Sequence, residues 1–345
     1  FCPEKAAGPL DPHPGQPLNP RMSPLTIFAD PLLGQSAAAL LRAETTGHTL
    51  LTPAKPAASV LAQAEPDPAI ERAEIVFGQP HLESLRSAEK LKWLQVSSAS
   101  FTRYDTPEFR AFAKDRGLIV TNSSEVYARA CAEHVFSFML ANARMLPQAL
   151  ASRAPNGSAE WLGLRSSSRS MHGQTALILG YGVIAKHLVK LLVPFEMNLI
   201  AMRRTPRGDE GIPVVTLRDL PAALAKADHV INILPDNAES RGFVNDELFA
   251  AMKPGAVFHN IGRGSTVDQD ALLRALRSHK ISSAWLDVTE PEPLPDDHPL
   301  RAEANCFITP HIAGGHQAED VTLVRHFLTN LRRFENNEPL LDRVM

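Results

Sequence analysis

The sequence predicts an α/β protein made of two doubly wound parallel-sheet domains. Short apolar runs alternate with helically spaced segments in the first third of the chain, and again from Gln174 onward. Such alternation implies a parallel sheet covered by helices on both faces. The length of 345 residues, with 44% hydrophobic and 21% charged residues, suits two ordinary globular cores.

The elements follow in order. The first 21 residues, FCPEKAAGPLDPHPGQPLNPR, are crowded with proline and glycine and lack the apolar core of a secretory signal. They read as disordered, or as sequence upstream of a start at Met22. LTIFA from Leu25 predicts a strand, and LLGQSAAALLRAE a helix. AEIVFG from Ala73, LKWLQVSS from Leu91 and GLIVTN from Gly117 predict further strands. HLESLRSA and TPEFRAFAKD between them predict helices, the second capped by Thr106 with Pro107 at its first position. SSEVYARACAEHVFSFMLANARML, from Ser123, predicts a long helix with apolar positions Val126, Ala130, Val135, Phe138, Met139 and Ala143. The next stretch, PQALASRAPNGSAEWLGLRSSSRSMHG, is rich in Ser, Gly, Pro and Arg and predicts a surface connection. TALILG, NLIAMR, HVINIL, AVFHNIG, SSAWLDV and CFITP are the strands of the second series, and AEDVTLVRHFLTNLRRFENN is a closing amphipathic helix.

Composition narrows the function. A net charge of −3 suggests no nucleic-acid or anionic-membrane surface. No apolar run has the length needed to cross a bilayer. Cys2, Cys131 and Cys306 are odd in number, far apart and without a CxxC pair. Neither a disulfide framework nor a metal site is implied, and a reducing, cytoplasmic setting is the simplest reading.

One motif points to a dinucleotide. LILGYGVIA places Gly180, Tyr181 and Gly182 between a strand and a helix opening with Val183, Ile184 and Ala185. Gly180 permits the tight turn, and Gly182 lets backbone N–H groups approach a pyrophosphate at the helix N-terminus. Alanine suits the third position, which needs close helix–strand packing. In binders of NAD the second strand ends in an acid that bonds the ribose 2′-OH. Here LIAMRRTPR puts Arg203, Arg204 and Thr205 there. Two guanidinium groups grip a 2′-phosphate, so NADP(H) is expected over NAD(H), with NAD(H) still possible.

HNIGRGSTVD, WLDVTEPEPLPDDHPL and ITPHIAGG follow the glycine motif in order. Together with LPDNAESRGFVNDELFAAMKPGAV and CAEHVFSFMLANAR, they make the chain from about Leu91 to Glu338 resemble the D-isomer-specific 2-hydroxyacid dehydrogenases, among them glyoxylate/hydroxypyruvate reductases and phosphoglycerate dehydrogenases. The resemblance implies a Rossmann cofactor domain, residues 124–310, inserted into a flavodoxin-like substrate domain of residues 22–123 and 311–345. It also implies a hinge where the chain crosses between them, and a homodimer formed through the long helix. It implies a catalytic Arg263–Glu292–His311 set for reducing a small 2-oxoacid to a D-2-hydroxyacid. Arg263 would hold the substrate carboxylate and polarise the keto oxygen. His311 would be the acid–base, and Glu292 would bond its imidazole, favouring the protonated form that donates to a ketone. Leu234, Pro235, Ile261 and Gly262 would line the cofactor edge, with Asp287 approaching the nicotinamide carboxamide. Ala99, Ser100 and Phe101 would offer loop amides to the substrate, beside Arg263 and His311. His134, His187, His259 and His316 read as having no chemistry, and Phe136 and Phe138 as core.

The family loop reads like S-A-G-V-D, whereas this chain has Ser100 at the glycine place and Phe101 after it. Serine restricts the backbone there, so the loop shape and preferred substrate side chain diverge. Arg103, Tyr104 and Arg129 are polar candidates for the far end of the pocket. Two other activities compete: a non-catalytic dinucleotide-sensing regulator of the same fold, and oxidation of a formate- or phosphite-like substrate. The intact Arg–Glu–His set disfavours the first. Glu292, where formate dehydrogenases of this fold place glutamine, disfavours the second.

Overall fold

A computed structural model describes residues 23–345 apart from 56, 60 and 61. The proline-rich first 21 residues lie outside the described residues. Five parallel strands form the first sheet: β1 (Thr26–Ala29), β2 (Thr49–Leu51), β3 (Ile75–Gly78), β4 (Trp93–Val96) and β5 (Ile119–Thr121), in the order β2-β1-β3-β4-β5. The second has seven parallel strands: β6 (Thr175–Leu179), β7 (Asn198–Met202), β8 (Val214–Val215), β9 (His229–Asn232), β10 (Ala256–Asn260), β11 (Ile281–Leu286) and β12 (Cys306–Ile308). Their order is β12-β11-β10-β9-β6-β7-β8.

Both sheets are doubly wound, as the alternation predicts. The first has the flavodoxin-like order, reversing between β1 and β3. The second has the dinucleotide-binding order, reversing between β6 and β9. Each reversal opens a crevice beyond the carboxyl ends of the strands, where α/β proteins bind ligands. Strands β3, β4 and β10 are buried along their whole length, which explains why they read as continuous apolar runs rather than alternating ones.

The helix Pro107–Arg116 starts as expected, with the Thr106 hydroxyl accepting from Phe109 N at 3.2 Å, and stops at left-handed Gly117. The long helix spans Ser124–Ala143 and packs along the helix Val183–Leu192. Val126, Val135, Phe138, Met139 and Ala143 are buried in it, and Ala130 is only partly so. The expected surface connection departs from the prediction: it holds two short helices, Leu146–Ala151 and Ala159–Ser167, the second capped by Ser158. Neither buries a residue, so neither leaves an apolar period in the sequence.

The closing helix, Glu319–Glu335, returns to the first sheet. Phe327 lies flat on Phe77, with centroids 4.4 Å apart, and 5.3 Å from Trp93. Asn330 donates to Gln95 Oε1 at 3.0 Å inside the same core. Among the described residues no helix is long and apolar enough to cross a membrane, and no group of three His, Cys, Asp or Glu side chains could hold a metal ion.

Candidate active site

The carboxyl ends of β6, β9, β10 and β11 and the loop after β4 converge on three cavities that share lining residues. The first, about 790 Å³, lies over the reversal between β6 and β9. Gly180, with φ +97°, makes the turn there in a conformation that side-chain-bearing residues rarely adopt. Gly182 precedes the helix Val183–Leu192, whose first N–H groups have no side-chain cap and are open to an anion. Gly180, Tyr181, Gly182, Leu234 and Pro235 line this cleft, as do Arg203, Arg204 and Thr205 at the end of β7.

The two arginines are held differently. Arg203 is 18% exposed and its Nη1 donates to Glu210 at 2.8 Å. Arg204, 68% exposed, pairs with Glu239 across the cleft mouth. Arg207, which the sequence reading did not single out, lines the same cleft. No acid stands at the end of β7. A dinucleotide pyrophosphate fits the uncapped helix start.

The second cavity, about 470 Å³, continues past Val183, Ile184, Ile261 and Gly262 to Ala99, Ser100, Phe101 and Arg263. The third, about 540 Å³, brings Arg263, His311 and Asp287 together with Ala99, Ser100 and Arg103.

Arg263 follows β10 in a tightly fixed turn. Its carbonyl accepts from Thr266 Oγ1 at 2.6 Å and Asn260 Nδ2 at 3.2 Å, and buried Asn232 braces both partners at 2.7 and 3.0 Å. Gly264 is required by packing, because a Cβ there would lie 2.0 Å from the Thr289 backbone. That contact presses the arginine turn against the segment leading to Glu292. The Asn232–Asn260–Thr266 brace left no signal in the sequence.

His311 has φ +52°, a left-handed conformation unfavourable for a residue with a side chain. Asp287, at the end of β11, compensates. Its backbone carbonyl accepts His311 N at 2.9 Å, and its carboxylate accepts Ile312 N and Ala313 N at 2.9 Å and Thr309 Oγ1 at 2.6 Å. Asp287 lines the cavity, but this carboxylate is occupied in folding the loop around the histidine. The imidazole Nδ1 meets the Glu292 carboxylate in a short contact, leaving Nε2 as the free ring nitrogen. Glu292 lines none of the three cavities and reaches them only through His311.

The loop after β4 is pinned by its carbonyls and side chains. Asn122 Nδ2 donates to Ala99 O at 2.7 Å, and Ser98 Oγ bonds Ser100 O. The N–H groups of Ala99, Ser100 and Phe101 find no acceptor among the described residues. Behind the loop, Gln79 bonds Ser98 Oγ at 2.7 Å and accepts from Arg103 Nη1 at 3.1 Å, placing Arg103 in the cavity wall. The other two far-end candidates are elsewhere. Tyr104 is buried with its hydroxyl on Pro80 O, and Arg129 pairs with Glu133 at the surface. Burial pushes the Cys131 thiol at the cavity edge up to about 12, so it stays protonated. His134 bonds Thr309 Oγ1 at 3.2 Å behind the loop, and burial lowers its basicity. His259 is buried against His229 at 3.1 Å, away from the cavities.

The D-isomer specific 2-hydroxyacid dehydrogenase NAD-binding family model matches residues 136–313. Human glyoxylate reductase/hydroxypyruvate reductase is 33% identical over 229 residues, which is 66% of this chain and 70% of that one. D-3-phosphoglycerate dehydrogenase of Methanocaldococcus jannaschii is 32% identical over 66% of this chain and 42% of its own. Among solved structures, a D-isomer specific 2-hydroxyacid dehydrogenase from Xanthobacter autotrophicus Py2 in complex with NADPH and MES aligns with TM-score 0.73 and 28% identity over 94% of this chain and 98% of that one.

Proposed function

Since the chain belongs to the D-isomer-specific 2-hydroxyacid dehydrogenases, which are NAD(P)-dependent oxidoreductases acting on small 2-hydroxyacids and 2-oxoacids, we propose that it reduces a glyoxylate- or hydroxypyruvate-like 2-oxoacid to the D-2-hydroxyacid, with NADPH as the preferred reductant. The observation that carries this reading is the meeting of Arg263 and the Glu292-backed His311 in one cavity that continues to the glycine turn.

In this reading the cofactor is held by the N-terminus of the helix Val183–Leu192, by Leu234, Pro235, Ile261 and Gly262, and by the arginines after β7. It supplies a hydride to the keto carbon. Arg263 anchors the substrate carboxylate and steadies the negative charge that grows on the keto oxygen. The loop amides of Ala99, Ser100 and Phe101 complete the carboxylate cradle. His311 Nε2 delivers the proton to that oxygen, while Glu292 on Nδ1 fixes the ring. The guanidinium groups of Arg203, Arg204 and Arg207 at the cleft, with no acid at the end of β7, support NADPH over NADH. The similar dehydrogenase from Xanthobacter autotrophicus Py2 binds NADPH in its crystal structure.

The test is a panel of small 2-oxoacids assayed with NADPH and NADH side by side. Turnover of glyoxylate or hydroxypyruvate with higher kcat/KM for NADPH is expected. The His311→Ala variant is expected to lose turnover and keep NADPH binding. A protein that binds NADPH yet turns over no 2-oxoacid would leave the dinucleotide-sensing regulator as the better account.

The same reading divides the chain into a substrate-binding part, 22–123 with 311–345, and a cofactor part, 124–310, closing about the two chain crossings. It includes a homodimer through the helix Ser124–Ala143 and the segment after it, where Leu150 and Leu162 stand in solvent. Light scattering of the purified protein tests the dimer.

A further inference from the structure

We propose that Glu210 is a positioning residue for cofactor choice, fixing Arg203 and the turn bearing Arg207 as one basic wall shaped for the 2′-phosphate of NADPH. The inference rests on the NADPH reading above and adds to it a residue that touches no ligand.

After β7 the chain runs RRTPRGDEG from Arg203 to Gly211 before β8. Residues 204–209 of this loop are exposed, yet Glu210 is only 7% exposed. The carboxylate is turned inward and bonded on both oxygens. Oε1 accepts from Arg203 Nη1 at 2.8 Å and Arg207 N at 2.7 Å, and Oε2 accepts from Gly208 N at 2.8 Å. Those donors, the Arg207 N–H foremost, hold its carboxyl at about 2, so it is ionised at any working pH. Its own carbonyl accepts from the hydroxyl of Tyr181, the middle residue of the glycine turn. One buried acid therefore ties the pyrophosphate turn, the end of β7 and the next loop into a single body.

Two consequences follow. Glu210 is turned inward on three donors and does not line the cleft, so it is not placed as the acid that bonds a ribose 2′-OH in NAD binders. It also orders Arg203 in advance. A free arginine side chain loses rotamer freedom when fixed, and here that loss is met on folding. With Nη1 engaged, Nε and Nη2 remain as donors for a phosphate. The turn through Arg207 N and Gly208 N sets where the Arg207 side chain leaves the backbone.

The experiment compares adenosine 2′,5′-bisphosphate with 5′-AMP, which differ by the 2′-phosphate, as ligands in calorimetric titrations. Dissociation constants for NADPH and NADH are measured alongside. In the unmutated protein the 2′-phosphate is expected to tighten binding. In Glu210→Gln this advantage should fall about tenfold, with 5′-AMP binding within twofold of the original. Arg207→Ala, a change at an exposed side chain, should show the same selective loss, and it keeps the test open if the Gln variant folds poorly. Equal weakening of both nucleotides in both variants would make the role purely structural and overturn the inference. So would a larger 2′-phosphate advantage in Glu210→Gln, the outcome if this acid merely repelled phosphate. No 2′-phosphate advantage in the unmutated protein would remove the NADPH reading itself. An advantage left intact by both variants would remove this inference alone.

Discussion

Replacing Asp287 by asparagine is the sharpest test of how the His311 loop is held. The carboxylate is 2% exposed and accepts three hydrogen bonds, from Thr309 Oγ1, Ile312 N and Ala313 N. Asparagine keeps the shape but offers one acceptor oxygen. If that oxygen stays on Thr309 and Ile312, the new NH₂ group faces the buried N–H of Ala313, donor against donor. A hydrogen bond to a charged group contributes about 1.5–3 kcal/mol, and a stranded buried donor costs about 1–3 kcal/mol. The loop should therefore lose about 3 kcal/mol. His311 sits at φ +52° only because this loop holds it there, so the loss falls on the imidazole position. A misplacement of about 1 Å costs on the order of a hundredfold in rate. Steady-state kinetics with a 2-oxoacid should show kcat/KM down at least tenfold, and calorimetry a lower unfolding temperature. The NADPH dissociation constant should change less than threefold, because the carboxylate is committed to the loop. Near-native kcat/KM with unaltered melting would refute the reasoning. A tenfold loss of NADPH affinity alone would return Asp287 to the nicotinamide carboxamide, as the family resemblance implied.

Phe327→Ala should destabilise the protein by about 3–5 kcal/mol in denaturant titration, since the ring is fully buried between Phe77 and Trp93. Burial raises the Asp30 carboxyl from 3.8 to about 7, and its Oδ2 is buried without a partner. The folded state thus keeps a proton that the unfolded chain releases, and stability contributed by Asp30 drains away as pH rises from about 4 to 7. Asp30→Asn should therefore gain on the unmutated protein between pH 4.5 and pH 8, by at most about 4 kcal/mol. An equal difference at both values, read by denaturant unfolding, excludes that titration. Burial lowers His229 to about 4 and His259 further below 6.5. Their stabilising effect is present above pH 6.5 and drops as acid is added, opposite in sign to Asp30. Replacing both by leucine should flatten the stability profile between pH 7 and 5 relative to the unmutated protein, and an unchanged slope would contradict this.

What was legible in the sequence had a local cause. β3, β4, β6 and β10 are buried along most or all of their length and so left unbroken apolar runs. Thr106-Pro107 marked a helix start because capping is a short-range hydrogen bond. Arg263, Glu292 and His311 stood out because glycines and prolines fix the turns that carry them. Strands β2 and β8, with three and two residues, are too short to show a period. The helix Ala159–Ser167 buries nothing, so its composition read as loop. Tyr104 could not be separated from a pocket residue, because its hydroxyl is satisfied by Pro80, 24 positions away in the chain. Glu210 and the Asn232–Asn260–Thr266 brace are likewise tertiary, and nothing near them in the sequence names their partners.

The helix Glu319–Glu335 sets an order of assembly. The apolar side formed by Ile27, Phe77 and Trp93 receives Phe327 only after the whole second sheet has been spelled out. On a ribosome, these strands wait, greasy side uncovered, until the helix Glu319–Glu335 emerges. The later sheet, whose strands β6 to β12 all lie within residues 175–308, can close while they wait. Chaperone dependence, and sensitivity to stop codons placed before residue 319, should therefore belong to the amino-terminal strands.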